Sequence, residues 1–341
     1  MSFAAAIWKI IGNYAPGLLL ISGIALGATV LAGFLPDYIG AVFIAVILGV
    51  IVANTVRLDP RKYDRGVRLG LNKFLKLAII LLGAGVSFQE VVGFGPQALV
   101  VIVVLIAFVF ASTAVLSRVM GLGLRQTLLI AVGISICGNT AIATTAPLVD
   151  ARKDEVAMAV GIVTLFGVVA VVVYPFIGML LAMPDLIFGL WAGTAINDTS
   201  QVVAAGFIYS EEAGTVATTV KLARNVMIVP VVVAAGYFYA ARTRRSSSEK
   251  VRPGELFPTF VLGFVLLALF NSLGWIPGPV AELLVALSGA LIVLALSGIG
   301  LGVRAAAFRK IGWRPFVVGF AVELLLALVA LGLIWAVVGA G

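Results

Sequence analysis

The sequence of 341 residues contains no histidine and a single cysteine, Cys137, and only 11% of its residues are charged. One cysteine cannot form an internal disulfide. A chain without histidine lacks the commonest metal ligand and the usual proton shuttle, so we expect neither a metal nor another cofactor. The charged fraction is less than half of the roughly 25% that is typical of soluble domains. This scarcity argues against a soluble protein.

Hydrophobic residues make up 62% of the chain, and apolar runs long enough to span a bilayer as a helix, about 18 residues or more, recur along it. The pattern predicts an all-α polytopic membrane protein, with a single membrane domain over 1–341 and about eleven transmembrane segments. The predicted segments are 16–35, 37–54, 72–88, 96–117, 126–147, 156–181, 186–208, 214–241, 256–273, 279–302 and 315–340.

The net charge of +8 comes from basic residues in four predicted loops, 57–76, 118–125, 242–252 and 304–314. Even numbers of segments separate these loops, so all four fall on one face, which the positive-inside rule assigns to the cytoplasm. We therefore expect the N-terminus inside and the C-terminus outside a bacterial inner membrane, and no nucleic-acid partner. Residues 1–15 are interpreted as a short interfacial helix and 242–255 as a cytoplasmic loop.

The first polar interruption of an apolar segment is Ser135-Ile136-Cys137-Gly138-Asn139-Thr140. Gly138 permits a break in the helix, and a helix that restarts after it would direct free N–H groups and its positive dipole end into the membrane, an arrangement that suits an anion. Ser135, Asn139 and Thr140 add neutral donors. The alternative is an unbroken helix that packs closely through small residues.

The second interruption, Ile196-Asn197-Asp198-Thr199-Ser200-Gln201, contains five consecutive polar residues, which cannot face lipid. A carboxylate at the depth of Asp198 needs a cation, a basic partner or a proton. We assign Asn197, Asp198 and Gln201 to a coupling-ion site or gate. The alternative is a loop at the end of a helix, with the true span beginning after Gln201.

Two basic residues, Lys221 and Arg224, lie three positions apart in an apolar segment and therefore on one helix face. Each costs about 2.5–3.5 kcal/mol at the membrane centre. Counted against Asp198, they leave an excess positive charge that an anionic substrate would compensate; a structural pair with Asp198 is the alternative. Glu282 and Glu323 also lie in apolar segments. Glu282 is close to an outer end, where water would solvate it, whereas Glu323 is a candidate for a proton-linked carboxylate.

Residues 135–148, Ser-Ile-Cys-Gly-Asn-Thr-Ala-Ile-Ala-Thr-Thr-Ala-Pro-Leu, resemble a signature of the sulfate exporter family of YeiH-type bacterial inner-membrane proteins. The stretches 195–206 and 221–224 are similar to that family's other signatures, and the similarity covers roughly residues 36–340. Where members often carry histidine in the second motif, this chain has Asn197-Asp198. The resemblance implies a fold of inverted repeats with crossed, discontinuous helices, shared with cation–proton antiporters and bile-acid symporters, and by analogy a homodimer.

We therefore predict a secondary transporter of a small anion, with sulfate or an organic sulfonate suspected. Its substrate site would comprise Ser135, Gly138, Asn139, Thr140, Lys221 and Arg224. A cation–proton antiporter centred on Asp198 is the alternative. A membrane enzyme with Cys137 or Asp198 as nucleophile is disfavoured, because the chain offers no histidine base. A weak similarity between residues 82–86 and 297–301 suggests an inverted repeat. The two interruptions lie in segments five and seven, an even offset that does not suit an inverted pair, so Gly298–Gly302 is a candidate symmetry mate of the first interruption.

Overall fold

The computed structural model of the chain describes residues 3–35, 40–86, 95–243, 259–302 and 312–338. All regular elements in these ranges are helical, which confirms the predicted all-α class. They are α1 (Phe3–Ala32), α2 (Ala41–Thr55), α3 (Pro60–Leu69), α4 (Leu75–Leu82), α5 (Gly95–Met120), α6 (Leu124–Ser135), α7 (Asn139–Thr145), α8 (Lys153–Leu180), α9 (Asp185–Ala195), α10 (Thr199–Tyr209), α11 (Glu211–Val226), α12 (Ile228–Thr243), α13 (Thr259–Ser272), α14 (Gly278–Gly302) and α15 (Trp313–Val338).

Among the described residues, five helices are individually long and apolar enough to cross a membrane, and they contain Gly12–Ala32, Val100–Met120, Lys153–Leu180, Gly278–Gly302 and Trp313–Val337. The pair α11 and α12, bent by 41° where they meet, would make a sixth. The other predicted segments coincide with shorter or broken helices. The count of eleven spans therefore stays a prediction, whereas discontinuous helices are present at both predicted interruptions.

Two predicted boundaries near the N-terminus are wrong. Residues 60–74 of the predicted loop 57–76 are helical, since α3 begins at Pro60 and a short π-helix, Gly70–Phe74, joins it to α4. The Asp59 side chain caps α3 by accepting from the Arg61 N–H at 3.0 Å. The predicted helix over 1–15 is not separate, because α1 continues through Pro16.

Parts of the predicted loops lie outside the described residues: 244–252 of the loop 242–252, together with the rest of 242–255, and 304–311 of the loop 304–314. Arg242 and Thr243 belong to the end of α12. The orientation that these loops predict stays a prediction.

The chain divides into two compact units, and the prediction of one transporter domain over 1–341 stays a prediction. The first unit comprises 1–91 and 259–305 and therefore contains α1–α4, α13 and α14. Within it α2 packs closely on α14, where a Cβ atom on Gly49 would lie 2.6 Å from the Ser297 carbonyl oxygen. Helix α14 runs unbroken through Gly298–Gly302, so this segment does not supply the second break expected of a symmetry mate.

The second unit comprises 92–258 and 306–341 and contains α5–α12 and α15, including both interruptions. Trp191 on α9 joins three helices of this unit. Its ring stacks on Tyr174 of α8 with centroids 4.2 Å apart, and its Nε1 donates to the Ala327 carbonyl of α15 at 2.9 Å. These contacts hold the end of α9 between α8 and α15. The second interruption is thereby placed beside α15.

Candidate functional site

The first interruption breaks a helix at the predicted position. Helix α6 ends at Ser135, Ile136 leaves the helical region with φ −129° and ψ −97°, and α7 begins at Asn139. Gly138 has φ +65°, a left-handed value that residues with a Cβ atom adopt only under strain. The Gly138 N–H bonds to the Gly133 carbonyl at 3.1 Å, so the last carbonyls of α6 are left without their usual helical donors.

The second interruption breaks a helix in the same way. Helix α9 ends at Ala195, Ile196 is extended with φ −82° and ψ 140°, and α10 begins at Thr199. Asp198 is the N-cap residue of α10: its Oδ1 accepts from the Ser200 N–H at 2.9 Å and from the Ser200 hydroxyl. The carboxylate therefore lies at the positive end of the α10 dipole.

The two breaks touch each other. A Cβ atom built on Gly138 would lie 3.6 Å from the Cβ atom of Asp198. We call the contact between residues 136–138 and 196–198 the helix crossing. Such a crossing of half-helices in a membrane protein creates two kinds of end, with free carbonyls at the C-terminal ends and free N–H groups at the N-terminal ends.

Lys221 and Arg224, both on α11, bind the C-terminal ends at the crossing. Lys221 Nζ donates to the carbonyl of Ile136 at 2.5 Å and to that of Ile196 at 2.9 Å, so it bridges the two breaks. The Arg224 guanidinium donates to four carbonyls, those of Ser135 (2.8 Å), Thr194 (2.7 Å), Ile196 (3.2 Å) and Ile134.

Both cations are enclosed by these contacts, with Lys221 0% and Arg224 2% exposed. Positive charge beside the C-terminal ends of helices is stabilising, and the carbonyls satisfy donors that would otherwise be buried without partners. Lys221 and Arg224 thus occupy carbonyl ends of the kind that coordinate a metal cation in transporters with discontinuous helices. Their predicted direct contact with an anion stays a prediction, and the geometry favours a positioning role.

The N-terminal ends at the crossing are more accessible. Asn139 at the start of α7 is half-buried and Thr140 is exposed, while Asp198, Thr199 and Ser200 at the start of α10 are half-buried. The remaining predicted donor, Ser135, is buried, and its hydroxyl bonds to the Val132 carbonyl of its own helix at 3.3 Å.

Thr164 on α8 links the two N-terminal ends. Its hydroxyl exchanges hydrogen bonds with the Asn139 side chain at 3.3 Å, and its carbonyl accepts from Gln201 Nε2 at 3.3 Å. Gly167, one turn further along α8, makes room for the same glutamine, because a Cβ atom there would lie 1.8 Å from Gln201 Oε1. On α8, the Thr164 carbonyl and the space beside Gly167 therefore position the side chain of Gln201, which belongs to the predicted coupling-ion site or gate.

The structure adds two residues that the predicted site does not include. Glu323 on α15, which is half-buried, accepts from Asn197 Nδ2, and Asn225 on α11 donates from Nδ2 to the Thr199 hydroxyl at 3.1 Å. Around the crossing there are thus two carboxylates, Asp198 and Glu323, beside two cations. The charge excess inferred from the sequence is not present when Glu323 is counted.

Three buried amide oxygens of this region have no hydrogen-bond partner within the described residues, namely Asn197 Oδ1, Gln201 Oε1 and Asn225 Oδ1. Unsatisfied buried acceptors are costly and uncommon. Oxygen atoms of this kind are suited to a proton donor or a hard cation. In the described part of the chain, no group of three or more cysteine, aspartate or glutamate side chains could hold a metal ion.

The sequence matches the model of a family described as conserved hypothetical protein 698 over residues 16–319. It is similar to a UPF0324 membrane protein of Clostridium tetani, 33% identical over 94% of this chain and 96% of the relative. The UPF0324 membrane protein SAG1125 of Streptococcus agalactiae is 33% identical over 93% and 95% of the two chains. The UPF0324 inner membrane protein YeiH of Salmonella typhi is 32% identical over 96% and 93%. No solved structure matches the chain.

Proposed function

This chain belongs to the family of conserved hypothetical protein 698 and the UPF0324 membrane proteins, and on that premise we propose that it is a secondary transporter of a small anion. We further propose that it resides in a bacterial inner membrane, with the N-terminus in the cytoplasm and the C-terminus outside. Sulfate and organic sulfonates are the substrates to test first. Transport is proposed rather than catalysis because Cys137 is buried and the chain has no histidine base.

The observation that carries the proposal is a difference between the two kinds of helix end at the crossing. The C-terminal ends already bind cationic side chains, whereas the N-terminal ends are accessible. Lys221 and Arg224 already bind the carbonyl ends of α6 and α9. The N-terminal end of α10 remains accessible, together with the side chains of Asn139 and Thr140. An anion is favoured at a positive dipole end lined by neutral donors. A metal cation at the carbonyl ends would have to displace two fixed positive charges.

In this proposal Asp198 couples transport to a proton. Its carboxylate caps α10, so it occupies the end where the anion would bind. An ionised Asp198 repels an anion at short range, whereas its protonated form does not. Asn197 and Gln201 lie one and three positions from this residue, and each has an amide oxygen without a partner among the described residues, so they would receive the proton donor or a coupling cation.

The test is anion uptake by the purified chain in proteoliposomes under an imposed pH gradient. We expect accumulation of sulfate or a sulfonate that depends on the gradient. Asp198→Asn should bind the anion but lose the dependence on pH, while Asp64→Asn, a matched change on α3, should behave as the parent does. Thr140→Val should weaken anion affinity, whereas Thr215→Val, whose hydroxyl donates to the Glu211 carbonyl of its own helix, should not. Equal effects of both threonine variants would contradict this site.

A cation–proton antiporter centred on Asp198 is the second candidate. It is favoured by the two carboxylates and by the three amide oxygens that have no partner in the described part of the chain, since hard cations take oxygen ligands. The same proteoliposomes separate the two functions. Proton flux that requires Na⁺ or K⁺, is lost in Asp198→Asn and is indifferent to every anion would establish the antiporter and refute anion transport.

A further inference from the structure

A large apolar groove runs along α5, α6 and α12 in the second unit, and none of its lining residues belongs to the helix crossing. Its volume is about 1110 Å³, at the upper limit of the roughly 300–1,000 Å³ usual for small-ligand sites. Aliphatic and aromatic side chains such as Val103, Phe110, Leu128 and Pro230 line it. Of the described residues that line it, two are charged, Arg118 and Arg242.

The groove is about as long as the acyl chain of a membrane lipid. It follows α5 from Val103 to Arg118, and it follows α12 to Arg242 from Met227, the residue just before that helix. Each of these stretches is about 22 Å long at a rise of 1.5 Å per residue. The hydrocarbon core of a bilayer is about 30 Å thick, so this length covers one leaflet and the adjoining headgroup level.

The two arginines lie at the same end of the groove. Arg118 is in the last turn of α5 and Arg242 in the last turn of α12. The start of α6, which follows α5 after a three-residue turn, contacts the end of α12: Arg125 Nε donates to the Tyr239 hydroxyl at 3.0 Å. One mouth of the groove is therefore basic.

Both of these arginines are available to a ligand. They are exposed, and the ion pairs formed among the described residues involve Arg68 and Arg152 instead. The Arg242 guanidinium lies over the Phe238 ring, 5.0 Å from its centroid. That stacking orients a planar donor at the mouth of the groove.

We propose that this groove binds an anionic glycerophospholipid, with its phosphate held by Arg118 and Arg242 and an acyl chain lying along α5 and α12. Any lipid tail would fill an apolar groove in a bilayer. The two guanidinium groups, which form no ion pair among the described residues, supply the selectivity. Guanidinium groups form charge-assisted, bidentate hydrogen bonds with phosphate, and basic pockets between membrane helices recognise anionic headgroups. The proposal is independent of the transport function.

The test is a titration of the full-length chain in neutral detergent with phosphatidylglycerol or with phosphatidylcholine of the same acyl chains, read by native mass spectrometry and thermal unfolding. We expect the parent to bind phosphatidylglycerol preferentially and to unfold at a higher temperature in its presence. R118Q/R242Q should weaken this binding by about tenfold or more, the loss expected when charge-assisted hydrogen bonds are removed. R61Q/R65Q, an equal charge change at exposed sites on α3, should retain it.

A groove-filling variant keeps the test decisive if R118Q/R242Q does not fold. Ala234→Trp leaves both arginines in place and should still weaken binding of the long-chain lipid. Equal binding of phosphatidylcholine, equal loss in R61Q/R65Q, or unchanged binding in Ala234→Trp would each overturn the proposal. Stabilisation by inorganic phosphate alone, to the same extent, would also overturn it by identifying a free-anion site.

Discussion

Replacing Arg224 with methionine tests whether internal cations hold the helix crossing together. The arginine donates to the carbonyls of Ile134, Ser135, Thr194 and Ile196, which come from two different half-helices. Methionine keeps a long apolar side chain but offers no donor. The variant therefore removes the hydrogen bonds while it preserves most of the volume.

The expected magnitude follows from the number of carbonyls that lose their donor. Ile196 retains Lys221 as a donor, so three oxygens are left unsatisfied, at about 1–3 kcal/mol each. The substitution also removes a buried cation that costs about 2.5–3.5 kcal/mol at membrane depth. The cost of the three unsatisfied oxygens minus the cost of burying the cation gives a net destabilisation of about 3 kcal/mol. Removing one partner of a buried ion pair has an effect of similar size.

The assay is equilibrium unfolding of the purified chain in mixed micelles, with helicity as the signal. Arg224→Lys keeps the charge but has one nitrogen in place of a planar fork, so we expect an intermediate loss. Arg61→Met, at an exposed position on α3, should stay within about 0.5 kcal/mol of the parent. If Arg224→Met were as stable as Arg61→Met, the carbonyl contacts would not be what stabilises the crossing.

Three further substitutions test the crossing and its surroundings. Gly138→Ala forces a Cβ atom into a left-handed conformation and should destabilise the chain by about 1–2 kcal/mol in the same unfolding assay. Gly167→Ala should displace the Gln201 amide and lower the uptake rate in proteoliposomes, whereas Gly289→Ala, a helical glycine with open space around it, should leave uptake unchanged. Ser135→Ala should change anion affinity less than twofold in a binding titration, since its hydroxyl is already bonded within its own helix; a larger loss would restore it as a direct donor.

The location of both helix breaks could be predicted from the sequence because each is a local property. A glycine among small polar residues, and five polar residues in a row, mark places where an apolar helix cannot continue. The structure accordingly ends α6 at Ser135 and α9 at Ala195. The helical stretch that begins at Pro60 and continues through a short π-helix into α4 was not predicted. Its many charged residues were interpreted as a loop, although they belong to an amphipathic helix.

The partners of the site residues could not be predicted in the same way. Lys221 and Arg224 bind backbone carbonyls, and every residue carries a carbonyl, so no side-chain pattern marks those that become free. The contact of Glu323 with Asn197 joins positions 126 residues apart. Such contacts depend on how α15 packs against α9, which a single sequence does not specify.

If the proposed anion transport is correct, the charge balance at the crossing determines how the uptake rate should depend on pH. Lys221 and Arg224 already donate to the carbonyl ends, and the carboxylates of Asp198 and Glu323 lie around the same crossing. An additional anion is therefore accommodated only when one carboxylate is neutral, since like charges at short range disfavour joint ionisation. We expect the initial rate of anion uptake to rise as the pH falls, and the rise to disappear in the double variant Asp198→Asn/Glu323→Gln, which should bind the anion equally at all pH values. A double variant with the parent's pH profile would show that the coupling proton is carried elsewhere.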